Sequence, residues 1–292
     1  MRVLCELTKR NVKLFLRDKA SVFFSFLSVL IIIALYMVFL GDMQVQSIEE
    51  EMGHVEGIRW LINSWIMAGI IVVNTVSLPL GALNTIINDQ EKNVTDDLFS
   101  SPVPRSKIML SYIFSSWIIG ILLSVITFII GEGYIALQGG SLLPFFDIIK
   151  VLGIIILSVI SSSSFLFFII TFIKSSNAFG VLSTIIGTFI GFLSGIYIPI
   201  GVLGSGMQSI IKLFPPAHTV TVLRQIFLDR PMTLVFKDAP LNVINEYKEL
   251  NGINMTAFGH EVNFLSMVLY ILGIAFIFYL LSAFRIKRMI KK

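Results

Sequence analysis

The sequence predicts an all-α, polytopic membrane protein with six transmembrane helices. Of its 292 residues, 55% are hydrophobic and only 14% are charged, which is far from the composition of a soluble domain. Six apolar stretches reach the roughly 20 residues that a helix needs to cross a bilayer. Basic residues gather in the segments that such a chain places on one side of the membrane. A surface this apolar must face lipid, because too few polar residues remain to cover it.

Each of the six apolar stretches is expected to form one helical span. The second is longer than a bilayer crossing requires and is expected to tilt or to extend beyond the membrane. One cysteine, Cys5, and three histidines exclude an internal disulfide framework and a cysteine-rich zinc site. The spans run approximately from Ser21 to Leu40, Trp60 to Ile87, Ile108 to Ile130, Ile148 to Ile173, Phe179 to Ile200, and Asn263 to Phe284.

The distribution of charge predicts the orientation. With six spans, residues 1–20, 88–107, 174–178 and 285–292 lie on one side, and they hold fifteen of the 22 basic residues but only six of the 18 acidic ones. The positive-inside rule makes this side cytoplasmic. We therefore expect a multi-pass protein of the cell membrane with both termini in the cytoplasm. The basic charge does not indicate nucleic-acid binding, since it is confined to these short segments.

Residues 1–20 have the pattern of an amphipathic helix lying flat at the membrane interface, an elbow that leads into the first span. A basic flank that serves only topology is the alternative. The charged residues Arg2, Glu6, Lys9, Lys13 and Arg17 recur every three or four positions, and Leu4, Leu7, Asn11, Leu14 and Phe15 fill the opposite stripe.

The loop at residues 88–107 contains the signals of a short, rigidly ended helix. Thr95 is expected to cap it, with Asp96 and Asp97 in its first turn, where they complement the helix dipole. Leu98 and Phe99 give it an apolar edge. Pro102 and Pro104 then end the helix, and Arg105 and Lys107 anchor the next span.

At these residues the chain resembles the permease subunit of bacterial ABC-2 type exporters. The matching segments of the loop are Glu91-Lys92, Asn93-Val94-Thr95, Leu98-Phe99 and Ser101-Pro102-Val103-Pro104-Arg105. A second group comprises Ser194-Gly195-Ile196-Tyr197-Ile198-Pro199, Leu213-Phe214-Pro215-Pro216 and Leu223-Arg224. The resemblance implies a type V exporter-like fold, in which residues 21–292 form the six-span domain with a cytoplasmic coupling loop at 88–107 and an extracellular segment at 201–262.

That extracellular segment is the only sizeable polar portion of the chain. Its first part, Gly201 to Phe227, has the pattern of short helices that dip into the outer leaflet, and Asn242 to Leu250 is expected to form one exposed helix.

The resemblance also implies which residues contact a separate ATPase. The sequence contains no Gly-x-x-x-x-Gly-Lys-Ser/Thr phosphate loop, so ATP and magnesium are expected on partner ABC ATPase subunits. This chain is then not an enzyme and is expected to hold no catalytic residue, cofactor or metal. The coupling contacts are expected at Glu91, Lys92, Val94, Thr95, Asp96, Asp97, Leu98, Phe99 and Arg105.

Polar residues within the second and fifth spans predict a translocation path, because such groups are costly against lipid. In the resembled family these spans flank a passage between two permease copies. The alternative is packing within one subunit through hydrogen bonds and small residues. The candidate path residues are Asn63, Asn74, Ser77 and Asn84 in the second span and Thr184, Thr188 and Ser194 in the fifth.

Together these patterns predict the membrane-spanning permease of an ATP-driven ABC exporter. It is expected to work as a homodimer, or with a related permease, and to carry out efflux of an amphipathic substrate such as a drug, a lipid or an antimicrobial peptide. The alternative is a secondary transporter or channel that is independent of ATP. The lack of charged side chains in the middle of the spans disfavours that alternative.

Overall fold

The computed structural model describes residues 1–20, 55–257 and 260–290, together with Val22, Phe23, Leu27, Ile31, Val45, Gln46 and Glu49. The predicted first span, residues 21–40, lies largely outside the described residues, and it stays a prediction.

The described part of the chain is almost entirely helical. It also contains a 3₁₀ turn, Ile200–Val202, and two short strands, β1 (Thr256–Ala257) and β2 (His260–Glu261), which pair antiparallel. The helices are α1 (Arg2–Arg17), α2 (Ile58–Glu91), α3 (Val94–Ser100), α4 (Arg105–Leu137), α5 (Phe145–Ile170), α6 (Ser176–Leu193), α7 (Ser205–Ile211), α8 (Pro215–Phe227), α9 (Asp229–Val235), α10 (Leu241–Leu250) and α11 (Phe264–Ile290).

Five of these helices are long and apolar enough to cross a membrane. They are α2, α4, α5, α6 and the part of α11 from Phe264 to Arg285. In order and position they correspond to the predicted second to sixth spans. α2 and α4 extend beyond their apolar stretches by several residues, since the helix hydrogen bonds continue into the polar flanks. An amphipathic N-terminal helix is also present as α1.

The predicted fifth span is wrong at its C-terminal end. The sequence stays apolar up to Ile200, but the helix ends at Leu193 because Gly195 adopts a left-handed conformation, φ 61°. The Ile196 N–H donates to the Gly191 carbonyl and the Gly195 N–H to the Phe192 carbonyl. This is the double hydrogen bond of a Schellman ending.

α2 is the central helix of the bundle. It contacts α4, α5, α6 and α8. In its most apolar stretch of 18 residues, 89% is buried, against 17% in the corresponding stretches of α6 and α11. Its Pro79 faces Gly120 of α4, where an added Cβ would lie 2.8 Å from the proline Cγ. Glycine therefore lets the two helices approach closely at this point.

The two ends of the bundle differ in composition. α1, α3 and the end of α11 lie at one end, where the Arg285 guanidinium covers the Phe172 ring at 4.5 Å from its centroid. We call this the α3 end. α7 to α10 lie at the other end, which we call the α8 end. There α8 is buried against α2, α5 and α11, while α10, the predicted exposed helix, has no buried residue.

α1 packs along α4 and α2. Its buried residues are Thr8, Asn11 and Phe15, so Asn11 lies near the centre of the covered face. Leu14, predicted on the apolar stripe, is 43% exposed. The covered face of α1 is therefore shifted from the face that its leucines predict. The polar contacts of Arg10 and Asn11 fix the rotation of the helix about its own axis.

Candidate functional site

The short helix α3 forms as predicted, but it begins differently. Its N-cap is Asn93, in a left-handed conformation with φ 58°, which asparagine tolerates better than most residues. The Asn93 carbonyl accepts the N–H groups of Asp96 and Asp97 at 3.1 and 3.2 Å. Thr95, the predicted cap, lies inside the helix and is buried. A backbone turn thus replaces the expected side-chain cap.

α3 ends where the prolines predicted, with Ser101 as its C-cap. The Ser101 hydroxyl donates to the Leu98 carbonyl at 2.6 Å, and the Ser100 hydroxyl to the Asp97 carbonyl at 2.8 Å. Pro104 is the N-cap of α4. The Arg105 guanidinium, in the first turn of α4, lies 5.1 Å from the centre of the Phe99 ring, which ties the end of α3 to the next helix.

The two faces of α3 have different chemistry. Leu98 and Phe99 are half-buried and pack against the apolar core of the bundle, and α3 as a whole contacts α2 and α4. Its solvent face is polar and acidic. The exposed residues of this segment are Glu91, Lys92, Asn93, Asp96, Asp97 and Ser100.

One turn before α3, the Asp89 carboxylate joins three helices. Arg10 of α1 binds it with both terminal nitrogens, Nη1 to Oδ2 at 2.6 Å and Nη2 to Oδ1 at 3.0 Å. The Tyr112 hydroxyl of α4 donates to the same Oδ2 at 2.7 Å. Asp89 is only 6% exposed, so this charge is stabilised by the partners that it binds.

The contact between α1 and α4 extends from this carboxylate. Arg10 Nη1 also donates to the Asn11 side-chain oxygen at 2.9 Å, and the Asn11 amide donates to the Ser111 hydroxyl at 3.1 Å. The hydrogen bond to Asp89 raises the pKa of Arg10, against the opposing effect of burial. The charged guanidinium fixes α1 to the last turn of α2.

Glu91 connects the same turn of α2 to α6. Its carboxylate accepts the backbone N–H of Ser176, the first residue of α6. A negative charge at a helix N-terminus is favourable because it meets unpaired N–H groups and the positive end of the helix dipole. We call the pair Asp89 and Glu91 the carboxylate hub, since these two side chains link α2 to α1, α4 and α6.

Sequence reasoning gave Glu91 as a coupling residue but missed Arg10, Asp89 and Tyr112. One signal existed. Arg10 does not belong to the series of charged residues that repeats along α1. It directly precedes Asn11, which lies on the stripe predicted to be covered. Its partner lies 79 positions away, a separation that no local pattern reveals.

The candidate path residues of α2 differ in burial. Asn74 is fully buried and donates to the Thr127 hydroxyl of α4 at 2.7 Å, so it takes part in packing within the subunit. Asn63, Ser77 and Asn84 are half-buried, on a side of α2 that the subunit covers incompletely.

The candidate path residues of α6 also differ in burial. Thr184 and Thr188 are exposed, and each donates its hydroxyl to a carbonyl of its own helix, at 3.0 and 2.9 Å. Ser194 is fully buried at the end of α6. Its carbonyl and that of Gly195 accept hydrogen bonds from Arg224 Nη2 at 3.2 and 3.1 Å.

Arg224 holds together the α8 end of the molecule. It is fully buried, and its Nη1 donates to the Asn251 carbonyl at 3.0 Å. The guanidinium also stacks on the Trp65 ring of α2, 4.2 Å from its centroid. The residue thus joins α2, α8, the end of α6 and the turn after α10, and its role in the structure is internal.

Comparison with known families places these features in context. The family described as ABC-2 type transporter matches residues 2–228, which is well over half of the chain and includes α1, α3 and Arg224. Comparison with curated proteins finds no match. The chain belongs to the ABC-2 type transporter family, whose members are the membrane-spanning subunits of ABC transporters.

Proposed function

We propose that this protein is the permease of an ATP-driven exporter with a type V-like fold, in the cell membrane, coupled through α3 to separate ATPase subunits. The observation that carries the proposal is the carboxylate hub: the turn that leads into α3 is bound by charged contacts to α1, α4 and α6. A helix that served only as a connector would not need these attachments.

The attachments suggest how force is distributed. α3 is about two turns long and is held at both ends, by the Asn93 turn and by the prolines. A push on such a rigid piece moves the end of α2 and, through Glu91, the start of α6. ATP and magnesium on the partner subunits supply the energy, and the packed helices move as bodies.

The exposed face of α3 gives the expected contact with the ATPase. Asp96 and Asp97 point away from the spans, while Leu98 and Phe99 are half-buried. We infer that the acidic pair meets basic residues of the ATPase and that the apolar pair mainly holds α3 to the bundle. Complementary charge favours such a match and suppresses wrong partners.

A second permease copy is proposed to cover α6. Its outer face includes Gly180 and Gly187, where an added Cβ would meet no atom within 4 Å, and exposed Thr184 and Thr188. Small residues permit close helix contact in a membrane. An identical or related partner there would complete a path between the two copies, walled by α2 and α6, with Asn63, Ser77, Asn84, Thr184 and Thr188 as its candidate polar lining.

The charge distribution supports an orientation with the α3 end and both termini in the cytoplasm. The uncharged amides and hydroxyls of the candidate path suit an amphipathic molecule rather than an ion. Outward movement of a drug, a lipid or an antimicrobial peptide is the function that these features support best.

The direct test is purification from native membranes and reconstitution. We expect a phosphate-loop ATPase without membrane spans to co-purify, and a fluorescent amphipathic probe to move across the liposome membrane only with ATP and magnesium. Movement of the probe by the isolated chain without ATP would instead indicate a secondary carrier or channel.

A further inference from the structure

We propose that the cavity between α1 and the last turns of α2 binds the zwitterionic head group of a membrane amphiphile of the phosphatidylethanolamine type. The inference deepens the function proposed above by naming where an amphipathic molecule first contacts the permease. It is carried by the position of the cavity, by its balanced charges and by its apolar rim.

The cavity has a volume of about 330 Å³. Binding pockets for small molecules typically range from about 300 to 1,000 Å³, so this one suits a head group rather than a whole drug-sized molecule. Its polar lining residues are Arg10, Asp18, Asn84, Thr85, Asn88, Asp89 and Lys92.

The cavity lies at the depth of lipid head groups. α2 has 34 residues and is about 51 Å long at 1.5 Å per residue, whereas the hydrocarbon core is about 30 Å thick. Trp60, which is half-buried at the α8 end, is a typical interface anchor. Counted from Trp60, some 20 residues cross the hydrocarbon, so the head-group layer at the α3 end begins near Gly81.

The charges of the described lining residues are balanced. Arg10 and Asp89 neutralise each other in their ion pair, and Lys92 and Asp18 add one charge of each sign. A strongly anionic or cationic ligand therefore finds both attraction and repulsion, while a head group with one charge of each sign can match both. The Asn84 and Asn88 amides offer donors and acceptors, which suit a phosphate and an ammonium equally.

One edge of the cavity is apolar. Leu14 and Phe15 of α1, Gly81 of α2 and Val94 of α3 complete the lining, and Leu14 is 43% exposed. An amphiphile whose head enters among the amides can rest the beginning of its tail on these side chains. The Arg10–Asp89 ion pair also lines the cavity, so an occupant would touch the contact that fixes α1 to α2.

The test uses the full chain in liposomes, with a diazirine-labelled phosphatidylethanolamine as the probe and no nucleotide or ATPase. After irradiation, peptide mapping is expected to find adducts on residues 81–94 and on α1. The same label on phosphatidylglycerol, which is anionic, should give about three- to tenfold fewer adducts there, as the loss of one or two polar contacts implies.

A matched pair of variants locates the site. Asn84→Leu removes a lining amide and should reduce labelling of residues 81–94 by about three- to tenfold, whereas Asn245→Leu, at an exposed amide of α10 at the other end of the molecule, should leave it unchanged. Gly81→Phe offers a second variant that fills the cavity. Unfolding midpoints measured in detergent ensure that only folded variants are compared.

Two results would overturn the proposal: equal labelling by the two lipids, or unchanged labelling in folded Asn84→Leu and Gly81→Phe variants. Competition by soluble glycerophosphoethanolamine would support a site that takes the head group alone, and reduced labelling only with a tailed competitor would support one that also uses the apolar edge. Because no ATPase is present, failure here leaves the proposed permease function standing, and failure of ATP-driven transport leaves this binding result intact.

Discussion

At the scale of single residues, the most consequential group is the Asp89 carboxylate, which accepts hydrogen bonds from Arg10 and Tyr112 in a buried position. A fully paired buried charge contributes little to the stability of the fold, but removing one of its partners destabilises the fold strongly. Asp89 thus makes the attachment of α1 sensitive to a single substitution.

Replacing Arg10 or Asp89 by alanine is expected to cost about 1–3 kcal/mol of unfolding free energy each, less than for a fully buried pair because Arg10 keeps a third of its side chain exposed. The double variant should lose less than the sum of the two, since the pair is coupled. Chemical unfolding of the wild type, the two single variants and the double variant in detergent measures these losses. The exposed Lys150–Asp147 pair is the control and should change stability by under about 1 kcal/mol; additive losses at Arg10 and Asp89 would contradict the assignment.

His218 gives the α8 end a dependence on pH. Its Nε2 bonds to the Lys212 carbonyl at 2.8 Å, its ring lies 4.2 Å from the Tyr270 ring, and the Tyr270 hydroxyl donates to the Leu213 carbonyl at 2.8 Å. Burial lowers the pKa of His218 below its ordinary value near 6.5. The stabilising effect of the neutral ring is therefore complete above pH 6.5 and is lost as the pH falls through the lowered pKa.

We expect the unfolding midpoint of the wild type to drop more steeply between pH 7.5 and pH 5 than that of His218→Gln, which keeps an N–H donor but does not titrate. His260→Gln, at an exposed histidine on the same end, should behave as the wild type does. If the unfolding midpoints of the wild type and His218→Gln changed equally with pH, His218 would not be the source of the pH dependence.

At the scale of elements, the spans were the most predictable part of the structure. Length and apolarity alone located α2, α4, α5, α6 and α11 in the right order. The ends were harder, as α6 shows: apolar composition continues past Leu193, and only the backbone conformation of Gly195 ends the helix.

α3 was predictable as a helix but not in its orientation. The aspartates and prolines indicated its position, yet two turns are too short for a periodic pattern that would tell which face is covered. Leu98 and Phe99 are half-buried against the bundle, and the acidic side faces solvent. Thr95 was a wrong cap because Asn93 forms the turn with its backbone.

The orientation of α3 predicts which substitutions disrupt binding of the ATPase. Asp96→Arg with Asp97→Arg should reduce the amount of co-purified ATPase by about tenfold, since reversed charges repel a basic groove. The unfolding midpoint should change little, because both side chains are exposed. Glu246→Arg with Glu249→Arg, an exposed acidic pair of α10 at the opposite end, is the control and should retain the ATPase. Full retention by the α3 variant would place the contact elsewhere.

At the scale of the whole molecule, the covered and uncovered surfaces differ sharply. α2 is enclosed, while α6 and α11 leave most of their apolar windows uncovered. Lipid suits the uncovered leucines and phenylalanines of α11, and the glycines and threonines of α6 suit another helix. The sequence indicated Thr184 and Thr188 as candidate path residues, but it could not show that Asn74 of α2 is already bonded inside the subunit, because Thr127 lies 53 positions away.

In the proposed mechanism, an ATPase drives this permease by pressing on α3. Photo-crosslinking in intact cells tests it most directly, with a photoreactive amino acid in place of Asp97 and, as a control, in place of Glu246. We predict that the probe at position 97 captures a phosphate-loop ATPase without membrane spans, identified by mass spectrometry, and that the probe at 246 does not. Capture of that ATPase at 246 but not at 97 would contradict the account.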